Sequence, residues 1–228
     1  MPKKHRIEFH AVSSPITEPV TKFGGQPVWL SEPQWPLSRQ TGNPMRFICQ
    51  IKLNDDLFPE AAAQMAYLFI TEEDDGKFVD GTYEPDGGEN AVVLQPGVTD
   101  CPIIQLTEGP SLYRMIQKSG FGRLQPESVE FAVSLIEEDD IDFLPESEWL
   151  KMPDPERQAA KGKLDENKIG GTPVFLQGDE FPFNGNCRLL IQLDSCTVPF
   201  FVNFGDAGVG YAFVSEAGDK ARFLWQCC

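Results

Sequence analysis

The chain has 228 residues, of which 41% are hydrophobic, so it can bury a sizeable core as one large domain or two small ones. Its 19 basic and 35 acidic residues give a net charge of −16, which argues against nucleic acid or an anionic membrane as partner, since both attract basic surfaces. No apolar stretch approaches membrane-spanning length, and no apolar run follows the basic start of the chain as in a signal peptide, so we expect a cytoplasmic protein.

The first part of the chain predicts short strands separated by turns. Residues 6–12 alternate between apolar and polar side chains, as in an edge strand. Residues 47–51 and 66–70 are short apolar runs rich in β-forming residues, which are typical of buried strands. Between them, residues 55–64 have apolar side chains at helical spacing and suit a short helix.

The rest of the chain continues this pattern of short strands. Residues 72–88 are acidic and contain glycine, which predicts an exposed hairpin or loop. A helix is expected around residues 155–161, because proline is tolerated in the first helical turn. The remaining predicted strands span residues 90–96, 101–106, 128–136, 208–214 and 221–226.

A stretch near the start of the chain returns late in the sequence. Residues 22–36 read KFGGQPVWLSEPQWP, and residues 168–182 read KIGGTPVFLQGDEFP. The two stretches are offset by 146 residues, and the strands that follow them correspond at similar offsets, so the copies differ in their loops. We therefore define two copies, residues 20–71 and 168–215, joined by a spacer at residues 72–167 within one domain over residues 1–228.

This pattern predicts a mainly β fold, a β-rich α+β protein with few short helices. Many short strands with glycine and proline turns are typical of such architectures. We expect two pseudo-repeated antiparallel sheet units packed into one body. The alternative is two independent domains joined by a flexible linker, because the spacer is rich in charge.

The chain offers few residues for nucleophilic or metal chemistry. Its two histidines, His5 and His10, lie in the first ten residues, where we expect solvated imidazoles. The six cysteines lack the spacing of a zinc site and are expected to be reduced, and the acidic runs lack the pattern of an EF-hand. We therefore expect no catalytic residue, no metal and no cofactor, while a carboxylate pair for glycoside hydrolysis stays open among so many acidic residues.

The candidate binding residues are those that recur in both copies or close a copy. A cleft between the copies, lined by such residues, would suit a polar ligand or a peptide. In the structural alternative, the two glutamines are buried and bond to backbone at the junction of the copies. The two tryptophans of the set lie among prolines and are interpreted as plugs that close a sheet. The full set is Trp29, Trp35, Arg46, Gln50, Tyr67, Arg188, Gln192, Asp206 and Tyr211.

These motifs resemble those of the YwqG-like family, a bacterial domain of unknown function. The resemblance implies a β-rich fold with internal duplication and no particular activity. Members of that family occur near genes for secreted toxins, which implies an immunity or inhibitor role by analogy. The first copy lacks the late Gly-Asp-Ala-Gly motif, so any function of that loop falls to Asp206 alone. The matching segments are residues 24–27, 35–36, 50, 89–97, 170–173 and 204–211.

The sequence thus predicts a non-catalytic binding protein. Its charge would attract a basic protein partner and accelerate their association. The alternative is a small-ligand or carbohydrate-binding protein, or a hydrolase, that uses the cleft between the copies. A third hypothesis, a structural module of a larger assembly, predicts stable oligomers.

Overall fold

The computed structural model describes residues 1–72, 79–117, 124–161 and 166–228. Strands dominate these ranges, and the two helices are short. The first strands are β1 Lys3–Ala11, β2 Lys22–Gly24, β3 Trp35–Pro36, β4 Arg46–Lys52, β5 Met65–Ile70, β6 Asn90–Gln95 and β7 Ile103–Ile104. Then follow β8 Tyr113–Gln117, β9 Leu124–Ser128, β10 Glu130–Asp139, α1 Glu146–Trp149, α2 Asp154–Lys161, β11 Lys168–Gly170, β12 Cys187–Asp194, β13 Val209–Ser215 and β14 Ala221–Gln226.

Ten strands form one antiparallel sheet in the order β14-β13-β12-β11-β1-β10-β2-β4-β5-β6. The outermost strands β6 and β14 contact each other, so the sheet is nearly closed. Two small sheets, β3 with β7 and β8 with β9, lie outside it. The predicted mainly β fold with two sheet units and few short helices is confirmed.

The duplication is visible in the strand order. Strands β2, β4 and β5 of the first copy are followed in the sheet by β6, and β11, β12 and β13 of the second copy are followed in the same order by β14, so the structural repeat extends one strand beyond each predicted copy. Between the two halves lie β1 and β10, which pair with each other. A register shift occurs between Phe47 and Cys49 in β4 and between Leu189 and Ile191 in β12, which are equivalent positions. The copies are therefore two halves of one sheet.

The prediction that residues 6–12 form an edge strand is wrong. Strand β1 pairs with β10 on one side and with β11 on the other. Both partners come from later parts of the chain, so the alternation within β1 could not reveal that both of its edges are occupied.

Two other predicted elements differ from the structure. Residues 55–64 form successive turns in place of a helix, because Pro59 lacks the N–H of a helical residue and disfavours helical backbone at Phe58. The strand predicted at residues 101–106 is reduced to β7. Part of the loop predicted at residues 72–88, residues 73–78, lies outside the described residues. Strand β6 and helix α2 are confirmed.

The core lies on both faces of the sheet. One face carries a large cluster to which both copies contribute, for example Leu68 from β5 and Leu190 from β12. The other face carries a separate cluster in each copy, around Tyr67 in the first and Tyr211 in the second. Burial on both faces explains why these strands are continuous apolar runs.

Candidate functional site

In the first copy, Gln50 and Tyr67 bind the backbone of the stretch that follows the Gly-Gly turn. The Gln50 Oε1 accepts a hydrogen bond from Val28 N–H at 2.8 Å, and its Nε2 donates to Val20 O at 2.8 Å. The Tyr67 hydroxyl donates to Val28 O at 2.8 Å. Both side chains are buried, and burial raises the pKa of Tyr67. These side chains supply hydrogen bonds to backbone groups of a segment that packs over the sheet but is not one of its paired strands.

The second copy repeats this arrangement. The Gln192 Oε1 accepts from Val174 N–H at 3.0 Å, and the Tyr211 hydroxyl donates to Val174 O at 2.6 Å. The Gln192 Nε2 donates to Glu166 O at 3.3 Å. Gln50 bonds within its own copy, whereas Gln192 bonds to Val174 in its own copy and to Glu166 at the end of the spacer, so these hydrogen bonds do not cross from one copy to the other.

A second pair of glutamines was missed by the sequence analysis. The Gln95 Oε1 accepts from Leu30 N–H at 3.0 Å, and the Gln226 Oε1 accepts from Leu176 N–H at 2.9 Å. Each glutamine is the last residue of the last strand of its half of the sheet, β6 or β14. This shared position at the end of a strand is visible in the sequence and could have identified the pair.

The two tryptophans pack on the outer face of the first copy. Trp35 is fully buried, and its Nε1 donates to Met45 O at 2.7 Å. The half-buried ring of Trp29 stacks on Phe69 and lies 4.6 Å from the Tyr67 ring, between centroids. Both tryptophans lie with Tyr67 in the cluster of the first copy, and Tyr211 lies in the cluster of the second copy. A direct binding role for these residues stays a prediction.

Both copies have an open cleft beside the Gly-Gly turn and next to the arginine that was singled out from the sequence. The first-copy cleft has a volume of about 520 Å³, and its lining includes Gly25, Gln26, Arg46, Ser111, Tyr113 and Phe201. The second-copy cleft has a volume of about 680 Å³, and its lining includes Gly171, Arg188, Leu189, Phe143, Phe181 and Phe213. The sequence analysis predicted a cleft between the copies. Each of these clefts lies beside the Gly-Gly turn of one copy and is also lined from the other copy, by Phe201 in the first-copy cleft and by Asp56 and Leu57 in the second-copy cleft.

In the first-copy cleft, Arg46 is held by internal partners. Its guanidinium lies 4.7 Å from the centroid of the Tyr113 ring, and its Nη1 donates to Ser111 O at 2.5 Å. The same guanidinium forms an ion pair with Glu72, which also accepts a hydrogen bond from the Tyr113 hydroxyl. Burial and the Glu72 carboxylate both raise the pKa of Tyr113. Arg46 therefore stabilises the packing of the spacer on this copy.

The equivalent Arg188 is much less constrained. It forms an ion pair with Glu60 at 2.7 Å, in which the two side chains are 46% and 50% exposed. Such exposed pairs contribute little to stability and exchange readily. The rings of Phe143 and Phe181, with centroids 5.2 Å apart, give the second-copy cleft an aromatic wall.

Polar side chains complete the second-copy cleft. Asn184, Asn186 and Asp56 line it beside the aromatic wall. Cys187 also lines it, but burial raises the pKa of this thiol to about 11, so it is protonated near neutral pH and is a poor nucleophile.

A buried ion pair lies behind the second Gly-Gly turn. The Lys168 Nζ lies 2.9 Å from Asp140 Oδ2, which also accepts from Thr172 N–H at 2.9 Å. Burial acts to raise the pKa of Asp140, but the Thr172 N–H and the Lys168 ammonium hold it below its ordinary value. In the first copy, Lys22 pairs with Glu130 at 2.6 Å in the same manner. Both pairs tie the first strand of a copy to the spacer.

The two histidines and Asp206 differ in their exposure. The expectation of a solvated imidazole is wrong for His5, which is buried with its Nε2 3.2 Å from Asp56 Oδ2, because β1 is an inner strand. His10 is exposed and lies 2.8 Å from Ser134 Oγ. Asp206 is exposed in the turn before β13 and lines neither cleft. Within the described ranges, no group of three or more His, Cys, Asp or Glu residues could hold a metal ion.

A comparison with known protein families identifies the family of this chain. In the part of the chain that the structure describes, no helix is long and apolar enough to span a membrane. No curated protein matches the chain. Residues 21–227, which include both Gly-Gly turns and both clefts, match one protein family over most of the sequence. The chain therefore belongs to the family described as a domain of unknown function, DUF1963.

Proposed function

We propose that this protein is a non-catalytic binding protein whose partner is a basic protein. The observation that carries the proposal is the second-copy cleft, an open cavity whose two cations, Lys3 and Arg188, are already paired with carboxylates, and to which Asp56 adds a further carboxylate. Its cations, together with that of the adjoining smaller cavity, are Lys3, Arg157 and Arg188. The carboxylates that line these cavities or pair with their cations are Asp56, Glu60, Glu137, Asp139, Glu146, Asp154 and Asp179.

The charge of the molecule supports the same proposal. A net charge of −16 attracts a basic partner over long range and raises the association rate at low salt. The aromatic wall of the cleft supplies apolar area at its centre, while the carboxylates form a polar border, which is the usual anatomy of a protein interface. An inhibitor of a basic toxin, the role implied by the YwqG-like resemblance, would be one such binding protein. We also propose that the chain is YwqG-like within its family.

Affinity capture with charge-reversed variants tests this proposal. The tagged wild-type protein would be used as bait in lysate of the native host and eluted with a salt gradient. We expect it to retain a basic protein in near-stoichiometric amount and to release it as salt rises, because screening weakens the attraction. A bait with Glu60→Lys, Glu137→Lys and Glu146→Lys should lose that protein.

A matched control separates local from global charge. Glu18→Lys, Glu32→Lys and Glu108→Lys change the net charge by the same amount at exposed positions away from the second-copy cleft. We expect this bait to retain the partner. Equal loss with both triple variants would contradict a site at this cleft, and an empty wild-type bait would contradict a protein partner.

A small ligand such as a carbohydrate is the second candidate. It is favoured by the combination of aromatic rings with the amides of Asn184 and Asn186 in the cleft lining. An empty bait together with a rise in the melting temperature on addition of a saccharide would favour this candidate. Arg188→Ala is the suitable variant for that test, since Gln192 is buried and its replacement would change stability.

A further inference from the structure

The first copy holds a short piece of the spacer beside strand β4. Phe47 N–H donates to Pro110 O at 2.8 Å, and Phe47 forms a parallel bridge with Ser111. Strand β2, the neighbour of β4 on this side, ends at Gly24 and does not reach Phe47. Residues 109–111 therefore take the strand position that β2 leaves open.

The second copy presents the same edge without that segment. Leu189 in β12 is the counterpart of Phe47, since both pair with a phenylalanine of the next strand and both precede the register shift. Strand β11 ends at Gly170 and does not reach Leu189. Strand β12 pairs with β13 in the same register in which β4 pairs with β5. The Leu189 N–H therefore points away from β13, toward the side that Pro110 covers in the first copy. Within the described ranges, no residue outside the sheet accepts a hydrogen bond from the Leu189 N–H.

The second-copy cleft lies at this edge, and its inner end is already filled. A Cβ atom added to Gly24 would lie 3.3 Å from Leu112 Cβ, whereas one added to Gly170 would lie 3.1 Å from Leu57 Cδ1. Leu57 thus fills in the second copy the core position that Leu112 fills in the first, and both belong to the shared core. The strand position itself remains as part of the cleft, bordered by Gly170, Arg188 and Leu189.

We propose that the second-copy cleft binds an extended peptide segment of the partner, which adds to β12 as a short parallel strand. The segment takes the place that residues 109–111 occupy in the first copy. This inference rests on the proposed binding function and names the part of the partner that is recognised. Strand addition of this kind draws its affinity from main-chain hydrogen bonds at an open sheet edge.

Arg188 has a defined role in this complex. In the first copy, Arg46 donates to Ser111 O while it also pairs with Glu72. Arg188 pairs with Glu60 in the corresponding way and keeps further guanidinium N–H donors for a carbonyl group of the peptide. Leu189 N–H and Arg188 together bind the peptide backbone, and Glu60 positions the guanidinium.

The cleft lining selects the side chains of the peptide. Successive residues of a strand point to opposite sides. An apolar side chain on one side packs on the wall of Phe143, Phe181 and Phe213. Basic side chains on the other side pair with Asp56 of the lining and with Glu137 and Asp139, the carboxylates beside Lys3. The recognised segment is therefore an extended stretch in which apolar and basic residues alternate.

Amide hydrogen exchange measured by NMR tests the open edge directly. In the free protein, we expect the Leu189 amide to exchange at least about tenfold faster than the Phe47 amide, since Phe47 is bonded to Pro110 and Leu189 is free on that side. The probes are N-acetylated, C-amidated hexapeptides in which Lys or Arg alternates with Leu, Phe or Tyr. A bound probe should slow exchange at Leu189 about tenfold and leave Phe47 unchanged.

Several results would overturn the proposal. These are equal protection of Leu189 and Phe47 in the free protein, a bound peptide that leaves Leu189 exchange unchanged, and the absence of any probe that binds with a Kd below about 1 mM. Equally tight binding of a matched set with Glu in place of Lys and Arg would contradict recognition of basic residues.

A pair of arginine variants isolates the role of Arg188. Arg188→Gln should weaken binding of the probe about tenfold, because one charge-assisted hydrogen bond is lost. Arg114→Gln breaks an exposed pair with Glu127 on the β8–β9 hairpin and should leave binding within about twofold. Unchanged affinity in Arg188→Gln would contradict its role. If the capture experiment yields a basic partner while Leu189 stays protected in the free protein, the peptide site fails and the proposed function stands.

Discussion

At the residue scale, the buried polar side chains stabilise the fold through hydrogen bonds to its own backbone. Gln50 and Gln192 make the same hydrogen bonds to equivalent backbone groups in the two copies. A polar amide between apolar strand residues is stable there because both ends of the amide are satisfied. The conserved geometry of the two copies thus explains why each strand carries a glutamine in an otherwise apolar run.

Asp140 allows a prediction about pH. Its pKa in the folded protein is lowered, so its carboxylate stabilises the fold above the unfolded pKa of about 4, and this stabilisation is lost as the pH falls through the lowered value. Asp140→Asn should reduce the free energy of unfolding by about 3 kcal/mol near neutral pH, because it leaves the buried Lys168 ammonium without its counter-charge. Urea unfolding at a series of pH values should show the difference from wild type shrinking below about pH 4.

The neighbouring Asp139 is the control for that experiment. It lies on the same segment but pairs with Lys3 at the exposed surface. We expect Asp139→Asn to leave the unfolding midpoint near that of the wild type at every pH. A difference between wild type and Asp140→Asn that stays constant down to acidic pH would show that another group is responsible.

At the scale of elements, equivalent turns have different surroundings. Gly24 and Gly170 both have positive φ, at 67° and 71°, where a side chain is strained by about 1–2 kcal/mol. A Cβ on Gly24 would lie only 2.2 Å from the Val129 carbonyl oxygen, whereas a Cβ on Gly170 would meet the movable side chain of Leu57. The first turn is therefore more tightly enclosed than the second.

This difference predicts unequal effects of one substitution. Gly170→Ala should destabilise by about 1–2 kcal/mol from backbone strain alone. Gly24→Ala should destabilise by a further 1–3 kcal/mol or so, because the backbone around Val129 has to move. Urea unfolding of the two variants measures the difference, and equal effects would contradict the closer packing at Gly24.

At the scale of the whole molecule, the two copies share one sheet and one core. Strands β1 and β10 join the halves, and Leu68 and Leu190 from opposite halves belong to the same cluster. The segments on either side of β6 also contact β14, through a hydrogen bond of 3.3 Å from Trp225 Nε1 to Thr82 Oγ1 and ion pairs of Arg222 with Asp86 and Asp100. Neither copy buries its apolar surface without the other.

We therefore expect the copies to unfold together. In protein labelled with fluorotryptophan, the ¹⁹F NMR signals of Trp35 in the first copy and Trp225 in the second should disappear over the same range of urea concentration. Trp149 lies on the short helix α1 of the spacer and serves as an internal reference, since its signal can change at a lower urea concentration than the other two. Separate transitions for Trp35 and Trp225 would favour two independent domains.

The candidate site was accessible to sequence reasoning only in part. Arg46 and Arg188 take equivalent positions in the two copies, and each lines a cleft. The difference between them depends on residues 109–111, Tyr113 and Glu72, which reach Arg46 from distant parts of the chain. No pattern around either arginine reports whether such a segment covers it.

The sequence by itself determined the duplication, most of the strands and the recurring glutamines and tyrosines, because repeats and hydrophobic periodicity are local properties. Only the tertiary structure decided that β1 is an inner strand, that His5 is buried, and that a cleft lies beside each Gly-Gly turn. These features depend on which segments pair across more than a hundred residues of chain. Such pairing is set by the packing of the whole sheet and leaves no periodic signal in either segment.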